Sequence, residues 1–314
     1  VNDDLDDLAR KATVKASSVN NEIKIDRAVE RHQLKTSVAF LFPVDIEMNS
    51  LSLYVDAACD TYLQVEIWDT GKPQNYIPHQ LIDKTEIHVQ KGAKQWINTK
   101  LSWSPDKPQN AFVIVRANEA ISLYVADEPL TGVLAFEDKG HSTKNGLSDP
   151  TVSPVFQWSM RPFVRKPFCF QVHGESHAYK AHKVIDGISR PYGGPHMWMS
   201  KRIKDDLEWL QLSWEEGVTV GEIHLTFNDD VNEDLVNLHH HRTSFDVIPE
   251  LVKDYRIQVF VTGEWKTLVT IKNNRKRKRV HKINEHVSCD QLRVVVDSTN
   301  GGARAEVIEV RVYA

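Results

Sequence analysis

Along WLQLSW (Trp209 to Trp214) apolar and polar residues take turns, and the same alternation recurs in short segments over most of the chain. Successive side chains on an extended strand point to opposite faces, so Leu210, Leu212 and Trp214 can enter a core while Gln211 and Ser213 meet water. LSLYVDA (Leu51 to Ala57), YLQVEIWD (Tyr62 to Asp69), AFVIVRA (Ala111 to Ala117) and ISLYVAD (Ile121 to Asp127) are rich in the branched and aromatic residues that suit a half-buried, pleated surface. EIHLTF (Glu222 to Phe227), YRIQVFV (Tyr255 to Val261), QLRVVVD (Gln291 to Asp297) and VIEVRVY (Val307 to Tyr313) repeat the pattern in the second half. A parallel α/β sheet would need a helix of about ten or more residues between successive strands. Helical periodicity is scarce here. The expected fold class is all-β, as two tandem jelly-roll-like sandwiches.

A chain of 314 residues has room for about two domains at roughly 150 residues each, each able to bury its own core. The stretch from Lys139 to Pro167 is dense in Gly, Ser and Pro, which places the expected boundary near Pro162, with domains 1–162 and 163–314. A net charge of −4 offers no global attraction to nucleic acid or anionic lipid, so a nucleic-acid partner is not expected. No apolar run approaches the roughly 18 to 20 residues of a membrane-spanning helix. Cys59, Cys169 and Cys289 are far apart and odd in number, which supports structural thiols rather than a zinc site or a disulfide framework.

Neither GxGxxG nor GxxxxGK occurs, so the chain is not expected to bind a nucleotide or flavin of its own. GxSxG and HExxH are absent too, and carboxylate pairs such as Asp205/Asp206 and Glu215/Glu216 read as solvated. The expectation is that this chain carries no catalytic residues and is not an enzyme. Its first residues, VNDDLDDLARK, lack the basic start and apolar stretch of a signal peptide, which suggests a processed chain or one cut from something larger. An extracellular or periplasmic location follows if a signal peptide has been removed.

From Ala178 onward the order AHKVIDGISRP, MWMS, EWLQLSW, VGEIHLTF, a long connection, DYRIQVF, GEWKTLVTI, RVHKI, QLRVVV and VIEVRVY resembles the galactose-binding-like sandwich of discoidin, or coagulation factor five/eight type C, domains and related carbohydrate-binding modules. The likeness covers roughly residues 170 to 314. More narrowly, VIDGISRP with PELVKDYRIQVF and RVHKI resembles the C-terminal module of a group of bacterial FAD-dependent oxidoreductases, whose flavin-binding part lies upstream. In the first half, VEIWDTGKP, the Gly92-to-Trp96 turn and strand, and AFVIVRA are similar to jelly-roll sandwiches that accompany extracellular modules.

The discoidin-like resemblance implies a structural calcium ion, held by the ID-G turn with its Asp and by the Glu of the last strand. Asp186 and Glu309 are the matching positions. Two carboxylates brought together repel unless a cation or donor lies between them, and Arg190 is an alternative source of that positive charge. The resemblance also implies a sugar platform on loops at one end, where an aromatic face stacks on a pyranose and Arg, His or Asn read its hydroxyls. RPYGGPHMWMS offers Tyr192, His196 and Trp198, and NLHHHRTSF offers His239, His240, His241 and Arg242. The competing expectation is that Trp198 plugs the sandwich and the histidines are solvated. Three consecutive histidines rarely converge on one zinc or copper ion.

The basic run KNNRKRKRVHK (Lys272 to Lys282) has no interleaved aromatics and is expected to extend from a hairpin turn at Asn273-Asn274 into a charged edge strand. The functional expectation is a non-catalytic accessory protein that binds a glycan or polysaccharide through loops at one end of the C-terminal sandwich. The alternatives are the C-terminal accessory region of a FAD-dependent oxidoreductase, with an upstream catalytic domain as partner, and a protein–protein adhesion module.

Overall fold

A computed structural model describes residues 6–139, 157–204, 207–232 and 245–314. The chain is all-β and divides into two compact units, but not at Pro162. Glu22–His177 form an inserted unit, while the residues up to Asn21 join Ala178–Ala314 in a split unit. Glycine and proline density marks a loop, and a loop inside a unit has the same composition as a linker. Strand pairing decides the boundary instead.

After β1 (Thr13–Ala16), which belongs to the split unit, the inserted unit comprises β2 (Lys24–Ile25), β3 (Ala28–Leu34), β4 (Val38–Phe42), β5 (Ile46–Ala57), β6 (Thr61–Asp69), β7 (Gln80–Val89), β8 (Gly92–Asn98), β9 (Ala111–Val115), β10 (Asn118–Ala126), β11 (Leu134–Asp138), β12 (Trp158–Ser159) and β13 (Phe170–Ser176). One sheet runs β2-β13-β5-β10-β3 with β8 also on β5, and the other runs β12-β11-β4-β9-β6-β7. All the pairings are antiparallel. Between them Phe170 from β13 stands edge-on to Phe40 and Phe42 from β4, with ring centroids 5.7 and 5.1 Å away. That aromatic contact, with the β13–β5 ladder, holds β13 in the inserted unit although it lies beyond the expected boundary.

VAFLF in β4 and AFVIV in β9 are buried at every position. AFVIV therefore departs from the half-buried alternation expected of it. The second face of β9 is covered as well: Phe112 packs against Phe136 and Trp158, with centroids 5.6 and 5.4 Å apart.

The split unit adds β14 (Trp198–Arg202), β15 (Glu208–Phe227), β16 (Val252–Val261), β17 (Glu264–Ile271), β18 (Lys278–Thr299) and β19 (Arg304–Tyr313) to β1. They form one sheet in the order β14-β19-β15-β18-β16-β17, with β1 on β15. β15 and β18 are 20 and 22 residues long, and their register slips between Ser213 and Val218. Before the slip β15 also pairs with β1, and after it with β19. Leu210 and Leu212 from the first part bury into the same cluster as Ile223, Leu225 and Phe227 from the second. The single sheet thus folds across its own core. An irregularity in two long strands does what a sandwich ordinarily does with two sheets.

β17 pairs with β16, and the start of β18 pairs with β15, so Asn273-Asn274 is a connection between layers rather than the tip of a hairpin. Asn274 is buried and its amide donates to the carbonyls of Val252 and Lys276. The basic strand itself, Lys278–Lys282, has β15 on one side and no strand partner on the other among the described residues. Its positive charges suit an edge.

Of the three thiols, Cys169 and Cys289 are buried, and burial raises them to about 12 and about 11. Cys59 is exposed and so lies outside the core expected for it.

A polar pair, Tyr255 and His281, is buried inside the split unit. The Tyr255 hydroxyl lies 2.9 Å from His281 Nε2. Burial first, then Arg279 and His224, lowers His281 from 6.5 to about 4, so at pH 7 its folded form is neutral. An unfolded chain binds a proton at His281 more readily than the folded one between these two values. Stability from this group is therefore complete above pH 6.5 and lost as pH falls towards about 4. Allowing for partial screening, the loss is about 2 kcal/mol. Urea unfolding at pH 7 and pH 4 should show a steeper decline for wild type than for His281→Leu, and equal declines would refute the neutral buried imidazole.

Candidate functional site

The ID-G turn and the loop after it form a locked assembly in the split unit. A single 3-10 turn, Ala181–Ile185, ends at Asp186. Asp186 Oδ1 accepts the N–H of Ile188 at 2.8 Å. Its Oδ2 lies 2.8 Å from His196 Nδ1. The other ring nitrogen, Nε2, lies 3.0 Å from the carbonyl of Tyr192. Both ring nitrogens of this imidazole therefore lie against oxygens of residues ten and four back along the chain. His196 has φ +43° and Gly193 φ +70°, so the loop reverses at left-handed positions. Gly187, at φ +83°, carries Arg10 so close that a Cβ would stand 2.2 Å from its Nη2. The Arg277 guanidinium donates to Ser189 O at 3.3 Å.

This geometry gives the expected sugar-contacting residues different roles. Tyr192 is 46% exposed and stands on the loop that His196 fixes. His196 is a positioning residue, with both nitrogens engaged inside the loop. Trp198 is fully buried, and its indole N–H donates to Ser18 O at 2.8 Å. It is a core side chain and offers no face to a sugar, because β14 turns it inward into the cluster with Leu210, Phe227 and Val307. His239, His240, His241 and Arg242 lie outside the described residues.

Asp186 and Glu309 each have their own partner. Asp186 holds Ile188 and His196, while Glu309 Oε1 stands 2.8 Å from Arg311 Nη2. Calcium takes six to eight oxygens. No group of three or more His, Cys, Asp or Glu side chains placed to hold an ion occurs among the described residues. Arg190, the alternative source of charge, is exposed.

A second cluster, on the inserted unit, was not singled out by sequence patterning. Tyr54 on β5 lies between Trp96 on β8 and Tyr124 on β10, with ring centroids 4.8 and 4.7 Å away and interplanar angles of 30° and 37°. The signal for it was present. SLYV occurs twice, at 52–55 and 122–125, and the antiparallel register that pairs Leu123 with Val55 brings the two tyrosines side by side.

No family model matches the chain, and no curated protein does. Among solved structures, similarity is found to a family 32 carbohydrate-binding module from C. perfringens NanJ in complex with galactose, at 16% identity over 44% of this chain and 88% of that one, TM-score 0.33. A chitosan-binding module from a Paenibacillus sp. IK-5 chitosanase/glucanase is 17% identical over 44% and 88%, TM-score 0.34. A family 32 module from Streptococcus pneumoniae EndoD is 13% identical over 44% and 87%, TM-score 0.35. Values this low assign the chain neither a family nor a ligand. No helix among the described residues is long and apolar enough to cross a membrane.

Proposed function

We propose that this chain is a non-catalytic recognition protein that binds carbohydrate through the loop end of its split unit, with Tyr192 as the aromatic contact. The observation that carries the reading is an exposed ring on a loop already fixed by the Asp186–His196–Tyr192 bonds. A platform held in its bound shape avoids an ordering cost at binding. An aromatic face covers the apolar face of a pyranose, while polar groups around it read the hydroxyls.

Affinity electrophoresis and calorimetry against a galactan, a neutral β-glucan and a polyuronate test this. Tyr192→Ala is expected to weaken retention of a bound glycan about tenfold, in keeping with the loss of a central aromatic contact. His196→Ala should weaken it less, by freeing the loop. Full retention by Tyr192→Ala, or no retention by wild type, would refute the reading.

A further inference from the structure

We propose that the basic edge strand of the split unit, Lys278–Lys282, is a docking edge that takes an extended acidic segment of another protein as an added antiparallel strand. Within β18, Arg279 and His281 stand opposite Leu225 and Ile223, two members of the core cluster. Lys278, Val280 and Lys282 stand opposite Thr226, His224 and Glu222, on the face turned away from that core. All three are exposed, Val280 by 48%.

The phase of the ladder fixes where the backbone of these three residues points. The Phe227 N–H donates to the Arg277 carbonyl at 2.9 Å. Along an antiparallel pair, residues that bond to the neighbouring strand alternate with residues that do not. Arg277, Arg279 and His281 therefore turn their N–H and C=O groups towards β15. Lys278, Val280 and Lys282 turn theirs to the open side, where none of the described strands pairs with them. Three donors and three acceptors in a row form a template for strand addition.

Charge selects the occupant. Lys276, Lys278 and Lys282 are exposed and form no ion pair among the described residues. The carboxylate on the strand opposite Lys282, that of Glu222, is engaged with His224 Nε2 at 2.5 Å. A second copy of this edge is repelled, because with Val280 opposite Val280 each Lys278 would face a Lys282. A segment with the order Glu-x-Val-x-Glu instead places a carboxylate opposite each lysine and an apolar side chain opposite Val280, all on one face. Lysines on an edge bar neutral strands and copies of themselves, and the same charges admit a strand of opposite sign. A polyuronate or an anionic membrane would neutralise the lysines too, but neither carries peptide groups at the strand repeat to meet the open ladder. The edge asks nothing of Tyr192 and takes a different class of ligand from the loop.

The experiment uses the whole chain and a labelled peptide, acetyl-Thr-Glu-Thr-Val-Thr-Glu-Thr-amide, read by fluorescence anisotropy, with amide hydrogen exchange by NMR at saturation. Wild type is expected to bind this peptide and to gain about tenfold protection at the amides of Lys278, Val280 and Lys282. A reordered peptide with its two glutamates adjacent keeps the charge and should bind several-fold more weakly, as should one N-methylated at its valine. The double variant Lys278→Glu/Lys282→Glu should lose the peptide by about tenfold and bind in its place a peptide with lysine for each glutamate. Thermal unfolding checks that this variant is folded, and Lys278→Ala, with a several-fold loss, serves if it is not. No binding of the peptide, equal binding of the reordered one, or binding without protection of the three amides would overturn the added strand. Capture of a polyuronate or of phosphatidylserine vesicles by wild type, lost in the double variant and unaccompanied by peptide binding, would overturn it in favour of a general polyanion strip.

Discussion

Trp198→Ala should destabilise the split unit by about 3–5 kcal/mol, the range for truncating a large buried aromatic. The side chain is fully buried among residues drawn from β15, β16, β18 and β19, so the cavity would open where both layers of the folded sheet meet. The Ser18 carbonyl would lose its indole donor at the same time. Urea unfolding followed by circular dichroism measures the loss. A change below about 1 kcal/mol would mean that the ring is not packed as described. This outcome also governs how binding data are read. A weakened Trp198→Ala protein would lose ligand because its loop scaffold loosens, whereas Tyr192→Ala removes a contact from a folded scaffold.

Gly174→Ala should cost the inserted unit about 3 kcal/mol, at the upper end of overpacking effects. A Cβ there would stand 2.0 Å from the Glu47 carbonyl oxygen and 2.9 Å from its carbon. Both are backbone atoms of β5, and a backbone cannot rotate away as a flexible side chain can. The position lies at the register slip of β13 against β5, between His173 and Gly174. Relief would require the two strands to part at that irregularity. Hydrogen exchange should then quicken along 170–176 in the variant. Unchanged protection with unchanged stability would refute the close approach.

Local patterning located most strands because the alternation of core and solvent positions is written in adjacent residues. LSLYVDA, YLQVEIWD and ISLYVAD lie in or along β5, β6 and β10. What adjacent residues do not encode is partnership across the chain. WLQLSW and EIHLTF looked like two strands and are two parts of β15, joined through a slip. β13 joins the inserted unit through Phe170 contacts that lie in β4, well over a hundred residues earlier. The same limit applied to the loop site. Trp198 had two readings, a ring for a sugar or a plug of the sandwich, and its burial on β14 beside β19 bears out the second. Tyr54 and Tyr124 were read as strand formers, and only the pairing of their strands makes them neighbours.

The interruption of one unit by the other has a consequence for synthesis on the ribosome. Residues 6–21 emerge before the inserted unit, but the carbonyls of Leu8 and Ser18 wait for the indoles of Trp214 and Trp198, and β1 waits for β15. The inserted unit can close as soon as β13 is made, well before its host. A nascent chain therefore holds residues 6–21 unpaired while the whole inserted unit is made, and a fragment starting at residue 163 would leave two buried indole N–H groups without the carbonyls that satisfy them.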